Sequence, residues 1–199
     1  MELVEALRRR KMVRAFDGRP VDPATVDRLL DGARRAPAAG NTSGRAFVVL
    51  EGAETGRYWD VTLPPERRRA FAWPGLLRAP VLVLILTSPA AYVARYAEPD
   101  KAGQGALGEA EGVWPVPYWH VDGGMGVMAL LLGAVDAGLG ACFFGLFDQE
   151  AAVLGALGVP DGWRAVGTVA LGHSAPDRPG RSHHRRRPDL SEVVHRGTW

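Results

Sequence analysis

The chain has 199 residues, 47% of them hydrophobic and 23% charged, with a formal net charge of +2. These totals suit a single folded domain over residues 1–199 and exclude a globally disordered chain. So small a net charge gives little long-range steering, so the placement of the basic residues matters more than their number.

Residues 1–10 read as a short helix with Leu3, Val4 and Leu7 on one face. Residues 16–20 carry turn chemistry in Asp17-Gly18 and Pro20. Asp22 caps a second helix, Pro23 suits its first turn, and Val26, Leu29, Leu30 and Ala33 recur at helical spacing before Pro37. Residues 38–44 form a small-residue loop. A compact apolar run at 46–50 predicts a buried strand, 52–58 a helix, and the Arg-rich stretch 64–71 gives no clear element.

Residues 81–86 give the clearest strand, bounded by Pro80 and Ser88, and 89–97 a helical turn or two. The Gly- and Pro-rich stretch 97–117 around Trp114 reads as a long loop or lid, a length that is often functional. Residues 118–139 form the longest helix, apolar on most sides and so buried, stopped by Gly138 and Gly140. A strand at 140–144, a helix at 149–157 and a strand at 163–171 follow. A polar, basic connection covers 174–188, and an apolar-bearing C-terminal stretch (Val193, Val194, Trp199) is expected to dock on a folded surface. Helices outnumber strands and separate them, which points to an α+β architecture: a mixed β-sheet flanked by helices, a long buried central helix and an extended C-terminal segment.

Cys142 is the sole cysteine, which excludes an internal disulfide and a Cys-rich zinc site and fits a reducing, cytoplasmic setting. The chain opens on Glu2 and Glu5 without a signal-like apolar block, and its apolar runs are too short for a bilayer, so no membrane partner is expected. The bases are nearly all Arg, since Lys occurs only at Lys11 and Lys101, and they bunch at 8–14, 67–69 and 178–187.

Four blocks carry a more specific message. They are Arg8-Arg9-Arg10-Lys11-Met12-Val13-Arg14-Ala15-Phe16, Ala36-Pro37-Ala38-Ala39-Gly40-Asn41, Gly138-Leu139-Gly140-Ala141-Cys142-Phe143-Phe144-Gly145, and Arg185-Arg186-Arg187-Pro188 followed by Leu190 and Val193-Val194-His195. In order and spread they resemble the FMN-dependent nitroreductase family. The resemblance implies an FMN oxidoreductase, a homodimer with the flavin at the subunit interface, and NADPH or NADH as a transient hydride donor. It also implies ping-pong reduction of small electron-poor acceptors such as nitroaromatics and quinones. Relatives that dehalogenate reductively or fragment the flavin offer an alternative chemistry on the same fold, and a non-enzymatic flavin-binding protein is a further alternative.

Carried over residue by residue, the resemblance puts Arg9, Arg10, Lys11, Met12 and Arg14 at the cofactor, with Arg10 foremost on the phosphate and Arg14 near the pyrimidine end of the flavin. Arg186 is the second phosphate contact, with Arg185 or Arg187 as neighbouring registers. Pro37, Ala38, Ala39 and Asn41 reach the cofactor from the partner subunit, and Phe143, Phe144, Gly145 and Leu146 lie beside the ring. No protein side chain acts as the catalytic group, because the flavin carries the chemistry. Where Met12 stands, relatives commonly have a small hydroxyl residue, and some have an acidic residue in place of Gly145. The physics agrees in outline: a cation about 4 Å from a phosphate charge gives roughly 4 kcal/mol at an effective dielectric near 20, before desolvation.

Other motifs resolve more plainly. Trp119 and His120 are candidates for a substrate pocket, although His120 also suits a structural or capping role. His120 and Asp122 sit two apart and cannot share a helical face as a metal pair; His183-His184 lacks matched partners, so no metal site is expected. The 178–187 run resembles a nucleic-acid arm only in charge, since apolar residues follow it and no aromatics interleave, so no nucleic-acid partner is expected. Gly123-Gly124-x-Gly126 lies inside a helical pattern and reads as close helix packing, and no Gly-x-Gly-x-x-Gly follows a strand.

Overall fold

A computed structural model describes residues 1–101, 103, 105–178, 180 and 184–199. In chain order the helices are α1 (Leu3–Arg9), α2 (Pro23–Arg34), α3 (Thr55–Thr62), α4 (Pro65–Arg68), α5 (Pro89–Tyr96), α6 (Tyr118–Asp136), α7 (Glu150–Ala156) and α8 (Leu190–Val193). The strands are β1 (Arg45–Glu51), β2 (Val81–Thr87), β3 (Gly140–Phe144) and β4 (Arg164–Gly172), in sheet order β1-β2-β4-β3. All three strand pairings are antiparallel. A parallel pairing occurs outside the strands, at the bridge between Met12 and Ala141.

The sheet is the wall between two cores, and strand periodicity decides which residue enters which. Val81, Val83 and Ile85 of β2 face α2 and α6, where they meet Leu29, Leu130 and Val169. Leu82, Leu84 and Leu86 face the opposite way, onto Tyr58, Trp59 and Val153. Strand β2 is therefore apolar at nearly every position and buried along its whole length. Strand β1, at the sheet edge, is mostly half-buried, less than its apolar run predicts.

Local signals explain most helix ends. The Asp22 side chain accepts the Ala24 N–H and Pro23 opens α2; the Ser88 side chain accepts the Ala91 N–H at the start of α5. Helix α6 stops at Asp136, three residues short of the apolar pattern, because Gly138 takes φ 71° and turns the chain into β3. Two of its glycines are packing notches: a Cβ on Gly123 would lie 2.4 Å from Val166, and one on Gly126 would lie 3.1 Å from the Arg45 Nε. Gly124 meets nothing within 4 Å. The 97–117 stretch is a chain of short 3-10 turns anchored by Trp114, whose indole N–H donates to the Leu107 carbonyl and whose ring packs on Tyr92, Tyr96 and Trp119. Trp114 and Trp119 are thus core residues of this segment.

Apolar side chains remain open in the protomer. Leu3, Val4 and Leu7 of α1 and Val121 and Met125 of α6 are exposed, as are Leu190, Val193 and Trp199 near the C-terminus. The C-terminal stretch does not dock on its own body as its apolar content suggests; it organises locally through a capping box between Asp189 and Glu192. No helix among the described residues is long and apolar enough to cross a membrane.

Candidate functional site

The two ends of the chain meet beside β3. After α1, residues 11–17 run extended along the β3 edge, with the Val13 N–H donating to the Ala141 carbonyl at 2.8 Å. On the other side they meet the segment that leaves β4: Ala175 N–H donates to the Ala15 carbonyl at 2.9 Å, and Asp17 N–H to the His173 carbonyl at 3.1 Å. The Arg14 N–H donates to the Asp177 carboxylate at 2.7 Å. Pairing of β3 with β4 is what makes this possible, because it brings residues 173–178 alongside the N-terminal segment.

A cavity of about 560 Å³ opens at this junction, walled among the described residues by Arg10, Lys11, Arg14, Arg178 and Arg187, with Asp177 as the one acid among them. None of the five bases is ion-paired to a described residue. Five cations against one carboxylate make a strongly positive recess in a chain that is almost neutral overall.

A second cavity, of about 460 Å³, lies on the other side of Arg14. Tyr58, Trp59, Phe71, Trp73, Phe143 and Phe144 line it, and residues 145–149 form its lip. Trp59 and Phe144 stack at 5.9 Å with ring planes 17° apart, and the Arg14 guanidinium sits 5.2 Å from the Trp73 ring centre. The buried indole Nε1 of Trp59 has no hydrogen-bond partner among the described residues. Burial pushes the Tyr58 hydroxyl up to about 12, so it stays protonated, and it accepts a hydrogen bond from Thr168. Burial likewise raises the pKa of the Cys142 thiol.

Arg10, Lys11, Met12 and Arg14 share the basic cavity, and Phe143, Phe144, Gly145 and Leu146 share the aromatic one. Arg9 turns away to pair with Glu5 at 3.0 Å. Arg186 is held by Glu192 at 2.7 Å and by Asp189, whereas Arg187 lines the basic cavity. Arg185 does not line either cavity. Of the His183-His184 pair, His183 lies outside the described residues.

Pro37, Ala38, Ala39 and Asn41 belong to neither cavity of this protomer. Trp119 is packed into the Tyr92 and Trp114 cluster, and His120 stands near Glu150 and Arg164; neither lines either of these two cavities. Burial and the Arg164 charge hold the His120 imidazole below its ordinary pKa. The aromatic wall from 58 to 73 is absent from the sequence-based candidates. Its signal was the aromatic density at Tyr58-Trp59, Phe71 and Trp73 inside a stretch dominated by arginine.

The chain is 31% identical over 184 residues to a 5,6-dimethylbenzimidazole synthase of Rhodospirillum rubrum, covering 85% of this chain and 81% of that one. A Desulfovibrio desulfuricans structure described as a nitroreductase in complex with FMN superposes with a TM-score of 0.71 at 22% identity, covering 98% of this chain and 95% of the other. A nitroreductase family protein of Clostridium novyi NT gives a TM-score of 0.66 at 24% identity, covering 88% and 86% of the two chains. The model of the nitroreductase family matches residues 7–173, and the chain belongs to that family.

Proposed function

We propose that this protein is an FMN-dependent oxidoreductase that takes hydride from NADPH or NADH and passes it to a small, flat, electron-poor acceptor. One observation carries the proposal: Arg14 is a common wall of a five-cation cavity and an aromatic cavity. A ligand with an anionic tail and a planar ring fits that pair, and FMN is such a ligand. The orphaned Trp59 Nε1 adds an unused donor on the aromatic side.

In this reading Arg10, Lys11, Arg178 and Arg187 hold the phosphate, with planar guanidinium groups suited to bidentate contact. Arg14 faces the pyrimidine end of the ring, where a positive charge favours added negative charge. Bound FMN supplies the acceptance and return of hydride. The aromatic walls exclude water and offer stacking faces to donor and acceptor in turn, which makes the kinetics ping-pong.

A homodimer completes the site. In this reading the 37–41 loop, which lines neither cavity of its own protomer, serves the cofactor of the partner. The exposed apolar residues of α1, α6 and the C-terminal stretch supply surface for such an assembly. A cytoplasmic setting, with NAD(P)H at hand, completes the reading.

A second chemistry on the same site, oxygen-dependent fragmentation of the flavin, is favoured by the 31% identity to the R. rubrum synthase. Visible spectra separate the two. The first expects flavin bands that bleach with NADPH under argon and return when an acceptor is added. Irreversible loss of the bands in air with NADPH supports the second, and absence of flavin from protein supplied with FMN rejects both.

A further inference from the structure

The structure holds a buried polar assembly that the cavities do not include. Asp122, in the first turns of α6, is only 2% exposed. Its Oδ2 accepts the Ala39 N–H at 2.7 Å and the Tyr92 hydroxyl at 2.8 Å. Its backbone carbonyl accepts from Arg45 at 2.7 Å. Arg45 in turn donates to the carbonyls of Ala33, Ala36 and Pro37 at 3.1, 3.3 and 3.2 Å. Gly126 leaves the groove through which the Arg45 side chain passes, since a Cβ there would meet its Nε at 3.1 Å and its Cδ at 3.2 Å.

The bonds to Ala36, Pro37 and Ala39 fall on one short loop, and those to Ala33, Tyr92 and the Asp122 carbonyl tie the two side chains that make them to α2, α5 and α6. Residues 36–41 follow α2, turn through Gly40 at φ 63° and Asn41 at φ 55°, and lead toward β1. Asparagine enters the left-handed region more readily than other non-glycine residues, which suits this turn. Arg95 adds a bond to the Gly40 carbonyl at 2.8 Å. A carboxylate bonded to a backbone N–H is among the stronger neutral-to-charged contacts, and one that is fully buried resists competition from water.

We propose that Asp122 is a positioning residue for the cofactor site, fixing the 37–41 loop, through the Ala39 amide and Tyr92, in the shape that reaches a flavin held by the partner protomer. This rests on the reading of that loop given above. Asp122 lines neither the basic nor the aromatic cavity of its own protomer, so its influence on flavin binding passes through the loop. The acid is needed as an acceptor of two bonds at one oxygen. Asparagine keeps an acceptor oxygen there; alanine does not.

The test is FMN affinity of the full-length protein, read by flavin fluorescence, for Asp122→Ala, Asp122→Asn, Asn41→Ala and the Asp122→Ala/Asn41→Ala double variant. Asp122→Ala is expected to weaken FMN binding about tenfold and Asp122→Asn to stay within about twofold of the parent. The double variant is expected to bind no more weakly than the weaker single one, because both changes disable the same loop. Should Asp122→Ala fail to fold, Tyr92→Phe keeps the ring and loses one bond, with an expected loss of about threefold. The proposal is overturned if Asp122→Ala, or Tyr92→Phe in its place, binds FMN as the parent does while Asn41→Ala does not. It is overturned equally if the two single losses multiply in full. An Asn41→Ala variant with unchanged affinity removes the loop from the flavin site, which ends both this proposal and the dimeric-site reading beneath it.

Discussion

The Met12 sulphur stands 3.4 Å from the backbone nitrogen of Phe143 and accepts its N–H. Both residues are half-buried, one in the basic cavity and the other in the aromatic one. The thioether therefore occupies a donor at the seam between the two cavities, and it supplies no donor of its own to an anion. Met12→Ser is expected to tighten FMN binding severalfold, because a hydroxyl can donate to the phosphate. Isothermal titration with FMN checks this, and weaker binding by the serine variant would contradict it.

Arg187 lines the basic cavity, whereas its neighbour Arg186 is paired with Glu192 and Asp189. Arg187→Ala is expected to weaken FMN binding about tenfold, while Arg186→Ala, which removes a pair with Glu192 on the surface, changes it less than about twofold. Flavin retained after equilibrium dialysis distinguishes them. The reverse order of effects would move the phosphate contact to Arg186.

Arg14 predicts a redox consequence. Arg14→Ala is expected to lower the two-electron reduction potential of bound flavin by about 30 mV or more, the equivalent of a tenfold change in equilibrium. Spectroelectrochemical titration measures it, and a potential equal to that of the parent would place Arg14 elsewhere.

Glu150 accepts two bonds from Arg164, at 2.9 and 3.1 Å, and one from the Ala165 N–H at 2.8 Å. The Arg164 bonds hold its carboxyl below the ordinary value of 4.5. A carboxyl lowered by folding adds stability that is fully present above 4.5 and disappears as pH falls through the lowered value. Glu150→Gln is therefore expected to melt below the parent at pH 7, with the difference shrinking below pH 4. A difference that stays constant with pH would show that the ion pair contributes nothing to the acid limb.

Glycines 123 and 32 make a matched pair. Gly123→Ala is expected to cost about 1–3 kcal/mol, because its methyl would press on Val166. Gly32→Ala in α2, exposed and with open space around it, is expected to stabilise by up to about 1 kcal/mol. Urea unfolding of both variants gives the comparison, and equal destabilisation would show that the space around Gly32 is not free.

Much of the fold was legible because its signals are local. Pro23 after Asp22, Ser88 before Pro89 and the glycine at 138 mark helix ends through backbone chemistry that needs no tertiary partner. The unbroken apolar run of β2 announced burial on both faces. The meeting of the basic clusters at residues 10–14 and 178–187 was legible in outline, but which arginine faces the cavity depends on the side-chain partners Glu192 and Asp189, and short-range pattern does not weigh such pairs against a neighbour. The aromatic wall at 58–73 was hidden because Trp59, Phe71 and Trp73 come together only through packing on β3. Trp119 and His120 looked like pocket residues by their chemistry, and the Trp114 cluster claims the first for the core.

A guanidinium that belongs to two chambers cannot serve them independently. An anion in the basic recess would offset the field that Arg14 presents across the aromatic one, and a ring seated there would alter how firmly the side chain is held for an anion. The halves of a bipartite ligand would then be coupled through a single side chain, so their separate binding free energies would not simply add.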